Sequence, residues 1–187
     1  MKDILLFGIQ WSGKWTQADY ILKNNPDVFS YVSTGNIFRA LTKGPDNALG
    51  RYVNDRMAAG TLIDDKVTNS LFQAYFYSVM DEQKYMLIDG YPRTIAQLDD
   101  IFRLAEQESR DLLGIQFVIP DEVAYERMAS RGRADDTPES MQHRIAQYYE
   151  QTVPVIEHFS THSQMIEIDA TRSIQDIAAE VSKHIQF

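Results

Sequence analysis

The residues with the clearest chemical pattern lie near the amino terminus, where a glycine-rich segment leads into a lysine. Residues 8–14 read Gly-Ile-Gln-Trp-Ser-Gly-Lys, and the hydroxyl residue Thr16 comes one position later than in the standard pattern. In such a loop the backbone N–H groups wrap a phosphate, the following helix contributes its dipole, and Lys14 reaches the β- and γ-phosphates. The pattern predicts phosphate binding, and the alternative is a glycine-rich turn without a ligand. Because no Gly-x-Gly-x-x-Gly fingerprint is present, hydride transfer has no support.

A second polar segment, Asp-Gly-Tyr-Pro-Arg-Thr at residues 89–94, follows a short apolar run. A carboxylate at the end of a strand beside a phosphate loop can hold the waters around Mg²⁺, so Asp89 is the candidate metal residue. Arg93 would reach into the same crevice. The segment is also a good turn sequence, and as a bare turn it needs no function.

A long stretch of the chain contains arginine but no lysine. Residues 85–182 contain eight arginines and no lysine, and arginine is suited to bidentate recognition of carboxylate or phosphate. Compositional drift is the simpler explanation of this count. Four of the arginines fall within 18 residues, namely Arg127, Arg131, Arg133 and Arg144. Their guanidinium groups would repel one another without anions, which either Asp135 and Asp136 or a bound triphosphate could supply.

Composition excludes several classes of protein. The chain has 187 residues, with 18 Lys and Arg against 27 Asp and Glu, for a formal charge of −9. This balance argues against a general nucleic-acid binder, whose affinity depends on phosphate neutralisation. The absence of cysteine excludes disulfides, iron–sulfur clusters and thiolate zinc sites, so no zinc is expected. Because neither a membrane-spanning run nor a signal-peptide pattern is present, we expect a cytoplasmic protein with small-molecule ligands and no membrane partner.

Short apolar runs alternate with amphipathic segments along the chain. The strands are predicted at residues 4–7, 30–33, 85–89, 114–119 and 165–169. Helices are predicted at residues 14–24, 36–42, 48–59, 64–80, 95–106, 121–130, 138–159 and 174–185. This alternation predicts an α/β fold with a doubly wound, five-stranded parallel sheet, which binds ligands at the carboxyl ends of its strands. The extra helices between the second and third strands predict an inserted arm or lid.

In combination, the motifs are similar to those of the adenylate kinase family, in its form with a short lid. The resemblance covers essentially the whole chain. It is carried by the phosphate loop ending in Lys14, Ser-Thr-Gly at 33–35, Arg-Ala at 39–40, Gly-Thr-Leu-Ile at 60–63, residues 89–94 with Gln97, Arg-Gly-Arg-Ala-Asp-Asp at 131–136 and Tyr-Tyr-Glu-Gln-Thr-Val-Pro at 148–154. It implies a fold like that of P-loop nucleoside triphosphate hydrolases. The whole chain, 1–187, would be a single kinase domain, with an AMP-binding arm at 33–62 and a short lid at 130–136.

The resemblance also implies an activity, the reversible transfer of a phosphoryl group between Mg·ATP and AMP to give two ADP, by a monomer. The residues implied for ATP are Trp11, Ser12, Gly13, Lys14, Trp15, Thr16, Arg127, Arg131 and Arg172. Those implied for AMP are Thr34, Arg39, Thr61, Leu62, Ile63, Gly90, Tyr91, Pro92, Arg93, Gln97, Arg133 and Arg144. The implied catalytic residues are Lys14, Arg93, Arg133 and Arg144, and Asp89 would hold Mg²⁺ through water. Thr34 and Thr94 are typical of the AMP-specific branch.

Three residues depart from the family pattern. The family usually has glycine at the positions of Trp11 and Trp15 and aspartate at that of Asn36. Our hypothesis is that the two tryptophans impair ATP binding; the alternative is that both indoles point away from the phosphates. Asn36 would modestly raise the Mg²⁺ requirement. Two other functions stay open, a catalytically weak nucleotide-binding protein of the same fold and a kinase for another nucleoside monophosphate.

Overall fold

One parallel sheet forms the centre of the protein. The computed structural model describes residues 2–131 and 137–185, with the backbone alone of Arg131. The strands are β1 (Lys2–Phe7), β2 (Phe29–Ser33), β3 (Tyr85–Asp89), β4 (Asp111–Val118) and β5 (Gln164–Asp169), in the order β2-β3-β1-β4-β5. The five predicted strands are confirmed, although β1 and β4 begin earlier than predicted. The polar residue Asp3 pairs with Leu112 at this end, which extends both strands.

Helices follow the strands, as the sequence predicts. They are α1 (Lys14–Asn24), α2 (Thr34–Lys43), α3 (Ala48–Ala58), α4 (Asp65–Val79), α5 (Ile95–Gln107), α6 (Asp121–Arg131), α7 (Pro138–Gln147), α8 (Val153–His162) and α9 (Ile174–His184). All but one of the predicted helices agree with these bounds to within two residues at each end. Within the described ranges, no helix has both the length and the apolar character needed to cross a membrane.

The exception is the helix predicted at residues 138–159. The prediction of one continuous helix was wrong, because the helix is interrupted. A π-helical segment, Tyr148–Thr152, separates α7 from α8. The reason is Pro154, because proline has no N–H for the helical ladder and its ring clashes with the carbonyl group four residues earlier. The π segment places the Thr152 hydroxyl where it donates to the carbonyl oxygen of Arg93 at 3.2 Å. This hydrogen bond therefore links the segment between α7 and α8 to the loop after β3.

The sheet is buried on both faces by two apolar clusters. Along β1, Ile4 and Leu6 belong to one cluster, whereas Leu5 and Phe7 belong to the other. This alternation follows from the two-residue period of a strand. Helices α1 and α9 contribute to the first cluster, and α4, α5 and α8 contribute to the second. The doubly wound fold is thus confirmed, and it leaves the carboxyl ends of the strands open.

A buried ion pair closes the opposite end of the sheet. The Arg110 guanidinium donates from Nε and Nη2 to the two carboxylate oxygens of Asp3, at 2.6 and 2.7 Å. Nη2 also donates to the carbonyl oxygen of Lys84, and the backbone N–H of Met86 donates to Asp3. The hydrogen bond to Asp3 raises the pKa of Arg110. Together these bonds tie the starts of β1, β3 and β4.

Candidate active site

A cavity of about 600 Å³ opens at the carboxyl ends of the strands. Its walls come from the phosphate loop (residues 8–16), the arm (residues 33–62), the loop after β3, α6, α7 and the segment after β5. Most of the predicted site residues line it, namely Trp11, Ser12, Gly13, Lys14, Trp15, Thr16, Thr34, Arg39, Thr61, Leu62, Ile63, Asp89, Gly90, Arg93, Gln97, Arg127, Arg144 and Arg172. The fold therefore brings residues from most of the chain into one space.

The phosphate loop has a backbone that glycine makes possible. Gly8 has φ 132°, and a Cβ there would lie 2.4 Å from the carbonyl oxygen of Phe117. Gly13, at the start of α1, has φ 95°. Lys14 Nζ donates to the carbonyl oxygens of Gly8 at 2.6 Å and Ile9 at 2.8 Å. The loop thus fixes the ammonium group inside the cavity, next to the amino end of a helix.

The two tryptophans of this loop differ in environment. Trp11 has φ 64° and is only 9% exposed, and its indole belongs to the buried cluster that also contains Ile145 of α7. Trp15, in the first turn of α1, is 55% exposed and lines the cavity beside Lys14. Both tryptophans line the cavity, and Trp15 is by far the more exposed of the two. The effect of either residue on ATP binding stays a prediction.

Three arginines line the side of the cavity next to the arm. Arg93 donates from Nε to the carbonyl oxygen of Gly90 at 3.0 Å, and Arg39 donates from Nη2 to Oδ1 of Asn36 at 2.8 Å. Burial lowers the pKa of Arg93; the Asp89 charge opposes this shift, and the charges of Arg144 and Arg39 add to it. Mutual repulsion of this kind is relieved when an anion binds among the guanidinium groups.

Hydrogen bonds hold the side chains of Thr34 and Gln97 in place on this same side of the cavity. The Thr34 hydroxyl donates to the carbonyl oxygen of Gly90 at 2.8 Å. The Gln97 side chain accepts from the backbone N–H of Arg93 and donates to Asp65 Oδ1, both at 2.8 Å. Asp65 therefore orients Gln97, a contact that sequence reasoning missed. The only signal was its position as an acidic residue at the predicted start of α4.

Asp89 ends β3 and lines the cavity. The Tyr31 hydroxyl donates to its Oδ2 at 3.3 Å. Burial raises the pKa of Tyr31, and the Asp89 charge raises it further, so the phenol remains a donor. One carboxylate next to a phosphate site fits Mg²⁺, which takes one or two carboxylates, phosphate oxygens and waters. Among the residues that the structure describes, no group of three or more His, Asp or Glu side chains could hold a metal ion by itself.

Arginines also mark the other side of the cavity, between the phosphate loop and β5. Arg127 Nη2 donates to the carbonyl oxygen of Ala170 at 2.7 Å, and Nη1 donates to that of Trp11 at 3.4 Å. Arg172 follows β5 and pairs with Glu180 of α9. These contacts fix the ends of α6 and β5 relative to the phosphate loop.

The structure does not bring every predicted residue to this cavity. Tyr91 is buried, its ring stacks on Phe72 with 3.9 Å between centroids, and its hydroxyl donates to Asp100 at 3.0 Å. Its side chain thus serves the core, because an aromatic ring gains more from that apolar stack than from the cavity wall. Pro92 lines a small separate pocket. The predicted contacts of these two residues with AMP stay predictions.

The predicted lid lies mostly outside the described residues. This applies to Arg133 and to the side chain of Arg131, so their predicted roles stay predictions.

The arm is docked on α7. Arg144 Nη2 donates to the carbonyl oxygen of Met57 at 3.1 Å, and His143 Nδ1 lies 2.9 Å from the carbonyl oxygen of Ala59. All four histidines, namely His143, His158, His162 and His184, are exposed. His143 also packs its helix against the arm.

The strand order, the phosphate loop after β1 and the helices inserted between β2 and β3 agree with the nucleoside monophosphate kinase class of phosphotransferases. A family model described as adenylate kinase matches residues 6–164. An adenylate kinase of Leuconostoc mesenteroides is 32% identical over 183 residues, which is 97% of this chain and 96% of the relative. An adenylate kinase of Cyanothece sp. is 31% identical, over 99% of this chain and 95% of the relative. One of Corynebacterium urealyticum is 33% identical, over 94% of each. The chain belongs to the adenylate kinase family.

Proposed function

We propose that the chain transfers a phosphoryl group reversibly between ATP and AMP, giving two ADP. The observation that carries the proposal is the convergence of Lys14, Arg39, Arg93 and Arg144 on one cavity. Within a protein of net charge −9, this is a local positive pocket suited to several phosphates.

The chemistry requires positioning more than proton transfer. The bond between the γ-phosphorus of ATP and its bridging oxygen breaks while an oxygen of the AMP phosphate forms the new bond. Because that oxygen is already ionised, no side chain has to act as a general base. Lys14 and the arginines would stabilise the charge on the transferred group and align donor with acceptor.

The acceptor would lie next to the arm, with its base near Thr34 and Gln97. Since the Thr34 proton is donated to the carbonyl oxygen of Gly90, the hydroxyl oxygen remains available only as an acceptor. An exocyclic amine is the complementary group, and adenine carries one at N6 whereas uracil has a carbonyl group. This arrangement favours AMP over UMP.

The donor would lie between the phosphate loop and the segment after β5. Backbone N–H groups of residues 11–16 would hold the ATP phosphates, and Arg127 and Arg172 would flank the base. Asp89 would hold Mg²⁺ through water, and the metal would neutralise phosphate charge. Residues 130–136 would close over the donor and exclude water. A monomeric state and a cytoplasmic location are part of the proposal.

Two arginines of the arm provide the test, in a coupled assay of ADP formed from ATP with AMP, UMP or CMP. Arg39→Gln removes a charge-assisted hydrogen bond of about 1.5–3 kcal/mol, so we expect the AMP KM to rise about 10- to 100-fold. The matched control is Arg51→Gln, because Arg51 is 61% exposed and pairs with Asp46 on the surface. An equal change in the two variants would contradict the proposed acceptor site.

The exposed indole of Trp15 beside Lys14 favours a second candidate, a catalytically weak nucleotide-binding protein. AMP binding without ADP formation would support that candidate. Faster turnover with UMP or CMP than with AMP would instead indicate a kinase for another nucleoside monophosphate.

A further inference from the structure

Trp11 adopts a backbone conformation that is costly for its residue type. Its φ of 64° lies in the left-handed region, and the residue stands between Gly8 and Gly13, which also have positive φ values. A bulky residue in this region is an outlier. Such strain persists only where the surroundings hold the residue firmly, and it concentrates at functional sites.

The indole has a specific neighbour. The Arg144 Cζ atom lies over the Trp11 ring, 6.0 Å from its centroid. This distance is at the outer limit of a cation–π contact, and tryptophan is the strongest aromatic partner for such a contact. Because the ring is only 9% exposed, water screens the attraction weakly.

Arg144 consequently has supports on two sides. The ring of Trp11 belongs to the phosphate loop, and the carbonyl oxygen of Met57, which accepts from Nη2, belongs to the arm. The charge of Arg144 also acts on Arg93, whose pKa it lowers. Because the Arg144 guanidinium lies near another cation, neutral partners such as the Trp11 ring and the Met57 carbonyl oxygen stabilise its position before a phosphate binds.

We propose that Trp11 is a positioning residue for phosphoryl transfer: its indole face holds the Arg144 guanidinium between the phosphate loop and the arm. The inference rests on the proposed function, in which Arg144 contacts the transferred group. Trp11 acts through Arg144 and therefore affects the transition state more than substrate binding.

Three substitutions of Trp11 distinguish the contribution of the aromatic ring to activity from those of side-chain volume and backbone strain. Trp11→Leu keeps an apolar side chain but removes the ring, Trp11→Phe keeps a ring, and Trp11→Gly removes both the ring and the strain. We expect kcat to fall about fivefold in the leucine variant, the equivalent of one cation–π contact. The phenylalanine variant stays within about twofold of the parent. The KM for ATP changes little in either.

A purely structural role would give a different pattern. Phe76→Leu is the matched control, because Phe76 is 2% exposed in the cluster on the other face of the sheet. It should lower the urea midpoint without lowering kcat. Equal kcat values in the leucine and phenylalanine variants would overturn the proposal. So would a glycine variant with higher kcat than the parent, which is the result expected if Trp11 only impairs the loop.

A second measurement is independent of activity. In a double-mutant cycle with Trp11→Leu and Arg144→Met, we expect the shifts in urea midpoint to be less than additive in the double variant. Additive shifts would overturn the Trp11–Arg144 contact. If the parent formed no ADP from any acceptor, the proposed function would fail, and this cycle would still decide whether the ring holds Arg144.

Discussion

Replacing Gly60 by alanine is expected to separate the arm from α7. Gly60 has φ 70°, and a Cβ there would lie 2.4 Å from the carbonyl oxygen and 2.9 Å from the Cα of Ser140, both backbone atoms. The left-handed conformation alone costs an alanine about 1–2 kcal/mol. Moving the arm to relieve the clash removes the hydrogen bonds of Arg144 and His143 to it, each worth about 0.5–1.5 kcal/mol.

The total is at least about 2 kcal/mol, which for a chain of this length lowers Tm by at least about 4 °C. The assays are thermal unfolding and initial rates with each substrate varied. Gly44→Ala is the matched control in the same arm, because a Cβ there would be 3.6 Å from its nearest neighbour, an ordinary contact. We expect Gly60→Ala to raise the KM for AMP several-fold and to change that for ATP less. Equal Tm and KM values in the two variants would refute the docked arm.

Further predictions concern the buried ion pair and the departures from the family pattern. Asp3→Asn leaves the buried charge of Arg110 uncompensated, so stability in urea should fall by about 3–5 kcal/mol while kcat per folded molecule stays constant; a loss below about 1 kcal/mol would contradict this role. Trp15→Gly should tighten binding of a non-hydrolysable ATP analogue, measured by titration calorimetry, whereas micromolar binding and ordinary turnover in the parent would count against impairment. Asn36→Asp should shift the Mg²⁺ dependence of the rate to lower concentration, and an unchanged curve would count against a role near the metal waters. Because Asn36 accepts from Arg39, the AMP KM should be measured in the same variant.

Local patterns predicted the elements of the fold and most of the residues around the cavity. The glycines at 8 and 13 and the lysine at 14 act within one short loop, so their arrangement follows from spacing alone. Arg39, Arg93 and Arg144 are far apart in sequence, and only the resemblance to a family predicted that they lie in one site. Among the described residues, the structure shows Arg39, Arg93, Arg127, Arg144 and Arg172 lining one cavity.

Contacts between distant segments could not be read from the sequence. The π-helical segment at 148–152 results from Pro154 competing with an otherwise continuous helical pattern. The bond from Gln97 to Asp65 joins α5 to α4 across the fold. The burial of Tyr91 against Phe72 depends on the packing of α4, although the family resemblance implied a contact of this residue with AMP. The π segment is a local effect of one proline, whereas the Gln97–Asp65 and Tyr91–Phe72 contacts depend on tertiary packing, and hydrophobic periodicity encodes neither.

The hydrogen bond from Arg144 to the carbonyl oxygen of Met57 has a thermodynamic consequence. Arg144 lies on α7, while Met57 lies in the arm. A ligand that attracts this guanidinium also changes the free energy with which the arm is docked. Such coupling is reciprocal, so a ligand that moves the arm changes the affinity for the other ligand by the same factor. The docking of the arm is therefore coupled to any ligand that contacts the Arg144 guanidinium, without any change in the sheet.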